Sequence, residues 1–236
     1  MSKAGRNFRP RFRAAGAGSV AVLGAGAMLA ACSPVQMGAA AIVGNQSITQ
    51  STLGAQVTNL QNAADKYPAG EIQLTSAQMP QAVLGWLVRF AIENRAAADA
   101  GIQVTSAQVQ QGTAAVVSQA RQYATQSGLP DPEAVLLSSG VSPQMINDLG
   151  RYQAQEFALA RKANGGTLPT TQAETQTVTV ALTRSTCQAA KSLNIQVNPK
   201  YGRLDYSQYT VVAGPDVLSQ AEGAPPAPTA GTTPAC

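Results

Sequence analysis

The residues of this chain that could do chemistry are few: three cysteines, 12 aspartates and glutamates, and no histidine. Without imidazole, Ser-His-Asp and Cys-His catalysis and histidine-ligated metal sites are excluded. A zinc site would need thiolates, and Cys187 and Cys236 are separated by 48 residues. The acidic residues are scattered and predict solvated helix faces rather than a glycosidase cleft. We therefore expect a protein that is not an enzyme and that uses no metal or other cofactor.

The context of Cys32 predicts covalent attachment of a lipid. Five basic residues and no acidic residue occupy the first 13 positions, and an uncharged stretch follows at 14–31. This is the layout of a signal peptide. The stretch ends in Leu29-Ala30-Ala31-Cys32, which resembles the lipobox of bacterial lipoproteins. That resemblance implies cleavage before Cys32, transfer of a diacylglycerol to its thiol, and anchoring at the outer face of a membrane.

An uncleaved membrane helix is the alternative, because the uncharged stretch at 14–31 is just long enough to cross a bilayer. Glycine and alanine fill most of it, so its transfer into lipid is less favourable per residue than that of a leucine-rich span. We favour the lipoprotein. Its mature part keeps 11 of the 16 lysines and arginines against all 12 acidic residues, a net charge of about −1. The positive charge of the whole chain therefore implies no nucleic-acid partner.

The C-terminal segment is predicted to lie outside the folded core. Beyond Gly214 it consists mainly of glycine, proline, alanine and threonine with few charges, a composition that cannot build a core. With Cys32 acylated, Cys187 and Cys236 remain, and the outside of the cell permits a disulfide. Because Cys236 ends this segment, a crosslink would close a loop without defined geometry. We expect a disordered tail at 214–236 and no structural disulfide.

Hydrophobic periodicity predicts a mainly α domain of five to six helices. A threonine followed three residues later by glutamine or glutamate, which caps two backbone donors reciprocally, occurs at Thr75, Thr105 and Thr171. Ser142 before Pro143 is another start signal. The predicted helices run through Leu53–Ala64, from Thr75 to about Ala100, from Thr105 to the break at Gly128, over Glu133–Leu137, from Ser142 to about Asn164, and from Thr171 to about Leu193, although Thr177–Leu182 also suits a strand.

A small β pairing of the N- and C-terminal segments is predicted to close the helical domain. Ala39–Val43 are apolar and precede a Gly-Asn turn, which predicts a short strand or hairpin edge. Tyr209–Ala213 is predicted to return as a strand beside it. The predicted organisation is a signal peptide at 1–31, a lipidated linker at 32–40, the helical domain at 41–213 and the tail.

The helix from Thr75 is predicted to be the central one. Apolar residues cover most of its circumference, and a polar line of one residue per turn runs through Gln81, Gly85, Arg89 and Glu93. This pattern is typical of a helix that is buried except for one solvent-exposed strip.

Three stretches of the sequence resemble the N-terminal chaperone domain of SurA- and PrsA-type extracytoplasmic foldases, in an actinobacterial-type lipoprotein. Ala39–Thr49 resembles the family's opening strand, turn and Ile-Thr entrance to the first helix. Leu84–Gln108 resembles its long helix and the Gly-Ile-x-Val-Thr turn that follows. Val197–Gly202 resembles a Val-Asn-Pro-Arg-Tyr-Gly return. The resemblance implies a SurA N-terminal-like fold that holds unfolded or extended exported polypeptides in an apolar groove.

The chain departs from that family at the position of the catalytic insert. Full-length foldases of this kind insert parvulin prolyl-isomerase domains between the helical part and the closing helix. Here only the seven residues 165–171 separate the corresponding predicted helices. Parvulin sites typically use histidines, which this chain lacks. The resemblance therefore implies binding without isomerase activity.

Candidate residues for binding polypeptide are methionines and aromatics, which adapt to varied partners. These are Met79, Trp86, Phe90, Met145 and Tyr152. For each of them we favour ordinary core packing over binding, because all sit at helical stripe positions. Two functions remain open: a lipid-anchored, non-catalytic chaperone-like protein, or an envelope scaffold with one dedicated protein partner. A long apolar groove open to solvent favours the first, and a sealed core with one flat patch favours the second.

Overall fold

Six α-helices and five short strands make up residues 38–214, the part of the chain that the computed structural model describes. The helices are α1 Gln50–Ala64, α2 Met79–Asp99, α3 Ser106–Ser127, α4 Pro132–Ser138, α5 Ile146–Ala163 and α6 Gln172–Leu193. The strands are β1 Ala39–Val43, β2 Gln46–Thr49, β3 Gln196–Val197, β4 Arg203–Asp205 and β5 Thr210–Val212. The predicted mainly α class is confirmed, and 177–182 is helical.

Several predictions fall on residues that the structure does not describe. The signal peptide at 1–31, the lipid site Cys32 and the tail beyond Gly214 lie outside the described residues. The linker predicted at 32–40 overlaps the described residues at its C-terminal end, where β1 already begins at Ala39.

The helix starts show which capping signals determine local structure. Thr105 and Thr171 form complete capping boxes, as predicted. Thr75 donates its backbone N–H to Gln78 Oε1 at 3.1 Å, but α2 begins four residues later than predicted. The reason is Pro80, whose ring and missing N–H are tolerated only in the first turn of a helix. Thr75–Gln78 therefore form a separate turn ahead of α2.

The start of α5 is stabilised by a tertiary contact rather than by a local cap. Ser142 is fully buried, and its hydroxyl donates to Gln56 Oε1 on α1 at 2.5 Å instead of accepting from the helix N-terminus. A short 3₁₀ turn, Pro143–Met145, leads into α5. Ser142 thus joins the start of α5 to α1.

The strands form two separate sheets. β1 lies in the middle of a three-stranded antiparallel sheet, with β2 on one side and β3 on the other. β5 pairs with β4 in a hairpin, so the predicted pairing of Tyr209–Ala213 with the strand at Ala39 is wrong. β3, which follows α6 directly, occupies the edge of β1 that β5 was predicted to occupy. Asn198 extends the pairing by donating to the carbonyls of Ala40 and Ala39.

The polar line of α2 is covered in two places, by the β4–β5 hairpin at Gly85 and Arg89 and by α5 at Glu93. Gly85 is buried, and a Cβ built on it would lie only 3.4 Å from the backbone nitrogen of Val211. Glu93, one residue of the same line, is only 4% exposed. The prediction of a solvent-exposed strip is therefore wrong at Gly85 and Glu93. α2 is nevertheless central, since it contacts α1, α5, α6, β1 and β5.

Helices α3 and α5 cross through a pair of glycines. A Cβ on Gly112 would collide with the carbonyl oxygen of Gly150. A Cβ on Gly150 would collide with Thr113 Oγ1 and lie 2.9 Å from the carbonyl oxygen of Val109. The two backbones come this close only because both positions lack a side chain, as interaxial distance depends on the residues at the contact.

Cys187 corrects one expectation. Its side chain is 5% exposed on α6, and it is disulfide-bonded to a partner outside the described residues. The expectation of no structural disulfide is therefore wrong for Cys187. That expectation considered only the setting of Cys236, whereas Cys187 is held in a fixed position by the packing of α6.

Candidate functional site: an aromatic groove

A groove of about 540 Å³ lies between α2, α3, α4 and α5. None of the residues that line it carries a charge at neutral pH. They are Gln73, Trp86, Val116, Gln119, Ala120, Tyr123, Val135, Leu136, Ser138, Ser139, Val141, Leu149, Tyr152 and Gln153. We call this site the aromatic groove, because Trp86, Tyr123 and Tyr152 provide its largest side chains.

Three aromatic rings pack together at the junction of α2 and α5. Trp86 and Phe90 lie one turn apart on α2, with ring centroids 5.7 Å apart. The Tyr152 ring is 6.1 Å from each, and it meets Trp86 edge-on at 89°. This T-shaped geometry is a favourable one for aromatic pairs. The three rings therefore hold one another in fixed positions.

The Trp86 indole is also oriented by polar contacts. Its Nε1–H donates to the carbonyl oxygen of Ser139 at 2.8 Å, across the mouth of the groove. The Arg89 guanidinium carbon lies 5.1 Å from the ring centroid, within cation–π range. Trp86 thus presents preorganised apolar surface, which reduces the conformational entropy lost on binding.

Tyr123 forms the exposed side of the groove. Its side chain is 56% exposed at the end of the apolar stripe of α3. Leu168 and Val180 are the other exposed large apolar residues in 38–214, and neither lines the groove. Tyr123 is therefore the aromatic residue that a ligand entering the groove would contact from solvent.

The groove also contains a polar group without a partner. The hydroxyl oxygen of Ser138 is buried and makes no hydrogen bond within the described residues. A buried hydroxyl left unsatisfied costs about 1–3 kcal/mol. The hydroxyls of Ser138 and Ser139 have no carboxylate, lysine or thiol beside them in the lining to activate them as nucleophiles. The arrangement can bind a ligand through apolar contacts and hydrogen bonds.

A buried carboxylate, Glu93, and a half-buried one, Glu156, lie behind the groove, where α2 packs on α5. Burial, with Glu156 as the second cause, raises the pKa of Glu93 from its usual 4.5 to about 7. Burial also raises the pKa of Glu156, while the Tyr152 hydroxyl and Arg89 oppose that shift. The Tyr152 hydroxyl donates to Glu156 Oε1 at 3.1 Å, so one groove residue is hydrogen-bonded to Glu156.

Arg89 joins α2 to the C-terminal hairpin. Its Nε donates to the carbonyl oxygen of Tyr209 at 3.2 Å, and Nη2 donates to that of Gln208 at 2.9 Å. Tyr209 has a positive φ of 52°, a left-handed conformation that is uncommon for a residue with a side chain. Arg89 thus holds the turn that leads into β5.

The structure divides the five predicted binding residues into two groups. Trp86 and Tyr152 line the groove. Met79, Phe90 and Met145 are 6%, 8% and 1% exposed and belong to the core, as core packing predicts, although the Phe90 ring also packs against Trp86 and Tyr152. The sequence analysis did not single out Tyr123 or Ser138 as binding residues. An aromatic at the end of the α3 stripe was the available signal for Tyr123.

Two further properties of residues 38–214 bear on the kind of site. No cluster of three or more cysteine, aspartate or glutamate side chains there is placed to hold a metal ion. None of the helices in this region combines the length and apolar character needed to span a bilayer.

Comparison of the chain with protein-family models, with curated proteins and with solved structures finds no match. The resemblance to the SurA N-terminal domain therefore stays a hypothesis that rests on the sequence stretches given above. Function has to be argued from the aromatic groove itself.

Proposed function

We propose that this chain is a membrane-anchored extracytoplasmic lipoprotein that binds non-native or extended polypeptide in the aromatic groove without catalysis. The observation that carries the proposal is an uncharged groove with fixed aromatic side chains and an exposed tyrosine on its open side. The signal-peptide layout and the lipobox-like residues before Cys32 support the location. The resemblance to the SurA N-terminal domain supports the class of ligand.

The size of the groove favours weak and reversible binding of a short segment. Covering the apolar surface of a groove this small contributes only a few kcal/mol at about 25 cal/mol per Å². Lost translational and rotational freedom opposes association by at least about 4 kcal/mol. A single short segment therefore binds with low affinity, which suits a protein that must release what it holds.

The chemistry of the lining favours polypeptide over other ligands. Apolar and aromatic side chains alternate with glutamine and serine. Polypeptide offers apolar side chains together with backbone donors and acceptors, whereas a hydrocarbon chain offers no hydrogen bond. A phosphate-bearing ligand would meet no positive charge in the lining. Binding should accordingly depend little on salt concentration.

One observation favours a second candidate function, that of a scaffold with one dedicated protein partner. Tyr123, Leu168 and Val180 are the exposed large apolar residues in 38–214, and they do not form one continuous lining. A protein that holds many unrelated clients is expected to expose a contiguous apolar patch. The limited exposure favours one partner whose anchor fits the groove.

The first test measures whether the purified mature protein suppresses aggregation of several unrelated unfolded proteins at stoichiometric amounts. The informative variant is Tyr123→Ser, because an exposed side chain can be truncated without disturbing the core. The matched control is Val180→Ser, which truncates an equally exposed apolar residue on α6. Weaker protection with Tyr123→Ser and unchanged protection with Val180→Ser support the proposal.

If the protein suppresses aggregation of none of the unfolded proteins, the chaperone-like function is ruled out and the dedicated-partner function is left. A photo-crosslinking amino acid at position 123 of the lipidated chain, irradiated in intact envelopes, then separates the two functions further. One dominant adduct supports a dedicated partner, and many adducts of different mass support binding of varied polypeptides. If the same set of adducts formed from position 180, the groove would not be the binding site in either function.

A further inference from the structure

The contact between α2 and α5 is unusually polar for a helix contact inside a core. Gln155, 8% exposed, donates from Nε2 to Asn94 Oδ1 across it at 2.9 Å. The neighbouring residues in sequence are Glu93 and Glu156, both carboxylates. Glu93 is 4% exposed, and its Oε1 makes no hydrogen bond within the described residues. A buried carboxylate in this condition is stable in its neutral form and unstable in its charged form.

The two carboxylates have different surroundings. Glu156 accepts a hydrogen bond from the Tyr152 hydroxyl and feels the positive charge of Arg89. Glu93 has no such hydrogen bond and no such positive charge. The charged group that acts on Glu93 is Glu156, which opposes ionisation of the Glu93 carboxyl. The negative charge is therefore favoured on Glu156 and the proton on Glu93.

The other elements packed on α2 offer Glu93 no compensating charge. α1, β1 and β5 contain no ionisable side chain. α6 carries Glu174, Arg184 and Lys191, none of which affects the Glu93 carboxyl. On α5, Glu156 and the hydroxyl of Tyr152 are the titratable groups that face it. On α2 itself, Arg95 is paired with Asp99 at 2.9 Å, and Arg89, one turn before Glu93, donates to the carbonyls of Gln208 and Tyr209 and is not among the causes of the Glu93 shift.

We propose that Glu93 and Glu156 form a proton-sensing pair that sets the position of Tyr152 and thereby makes ligand binding in the aromatic groove depend on external pH. This regulation rests on the proposed function of the groove. In the protonated state the pair carries one negative charge, and α2 packs against α5. When Glu93 releases its proton to solvent, a buried negative charge on Glu93 opposes the half-buried negative charge of Glu156 at the contact. The two helices move apart there, and Tyr152, bonded to Glu156, moves relative to Trp86.

The direction of the effect follows from this geometry. The packed state holds the rings of Trp86, Phe90 and Tyr152 together, so it is the state that presents the preorganised groove. A ligand that binds this state must also favour the protonated pair, because linkage is reciprocal. Binding is therefore tighter on the acid side of neutrality and is accompanied by proton uptake.

The first experiment follows the pair without any ligand. Trp86 is the single tryptophan of the chain, so its emission reports on the groove. The lipidated full chain in detergent micelles is titrated from about pH 5 to about pH 9, a range that brackets the Glu93 transition. We expect a transition near neutrality in the wild type, no such transition in Glu93→Gln, and a midpoint moved to lower pH in Glu156→Gln. Glu133→Gln, on an exposed residue of α4, is the matched control and should leave the midpoint unchanged.

The second experiment measures binding of a fluorescein-labelled peptide of alternating leucine and serine. From about pH 6 to about pH 8 we expect Kd to rise about fivefold or more in the wild type and to stay constant in Glu93→Gln. If Glu93→Gln does not fold, the midpoint shift in Glu156→Gln carries the test alone.

The possible outcomes separate the two proposals. A Trp86 titration without peptide binding at any pH overturns the proposed function of the groove and leaves the carboxylate pair in place. Peptide binding without a Trp86 transition near neutrality overturns the proton-sensing pair. A Trp86 transition accompanied by pH-independent binding overturns the link between the pair and the groove.

Discussion

Replacing Glu93 by glutamine should stabilise the fold at neutral and alkaline pH. The pKa of this carboxyl rises from 4.5 to about 7 in the folded chain, so the native state binds more protons than the unfolded state between those values. Stability therefore falls as pH rises through this window, and the loss is complete above about pH 7. A shift of this size corresponds to roughly 3 kcal/mol. Glutamine keeps the shape and the neutral state of the protonated acid, so most of that loss should be absent in Glu93→Gln.

The assay is urea unfolding followed by circular dichroism at a series of pH values, for the wild type, Glu93→Gln and the control Glu133→Gln. The quantity compared is the difference in free energy of unfolding between variant and wild type, because it cancels the titration of other groups. We expect this difference to be near zero at about pH 4.5 and to approach roughly 3 kcal/mol in favour of the variant at about pH 8. Glu133→Gln should show no such rise.

Two results would refute the reasoning. Parallel stability curves for the wild type and Glu93→Gln would mean that Glu93 titrates alike in the folded and unfolded chain. A variant that is less stable than the wild type at alkaline pH would mean that the Glu93 charge has a favourable partner. Either result would remove the physical basis for treating the α2–α5 contact as sensitive to protons.

Three other predictions test the groove and the packing that forms it. Tyr123→Ser should lower protection of unfolded clients in aggregation assays while Val180→Ser does not, and equal losses in both would contradict a groove-specific effect. Gly150→Ala should destabilise the fold by about 1–3 kcal/mol in urea unfolding because its methyl group overpacks the α3–α5 crossing. The control Gly54→Ala, with open space around it on α1, should be neutral or stabilising by up to about 1 kcal/mol. Thr105→Ala should cost about 1 kcal/mol of stability because α3 loses its capping box, and an unchanged denaturation midpoint would contradict the role of that cap.

Local signals in the sequence predicted local structure well. The capping boxes at Thr105 and Thr171 depend on residues three positions apart, and both form as expected. Thr75 carries the same signal and fails as a helix start because Pro80 fixes where α2 can begin. Helix number, order and approximate ends follow from periodicity, which is also a local property.

Contacts between residues far apart in sequence could not be predicted in the same way. The polar line of α2 looks solvated in the sequence because the segments that cover it lie far along the chain: the carbonyl of Tyr209, 120 residues later, accepts from Arg89, and α5 packs at Glu93. The choice of β3 over β5 as the partner of β1 likewise depends on where α6 ends. Trp86 and Tyr152 were predicted as binding residues, but the side chains of Met79 and Met145 have the same helical spacing and are buried. Spacing alone does not distinguish a groove wall from a core.

The attachment of β5 to α2 connects the last described strand mechanically to the groove. β5 rests on Gly85, the residue next to Trp86, and two hydrogen bonds from Arg89 hold the turn before it. The chain continues from Gly214 directly after this strand. A change that loosens the hairpin would therefore be transmitted to α2. Hairpin stability and groove occupancy would then act on the same helix.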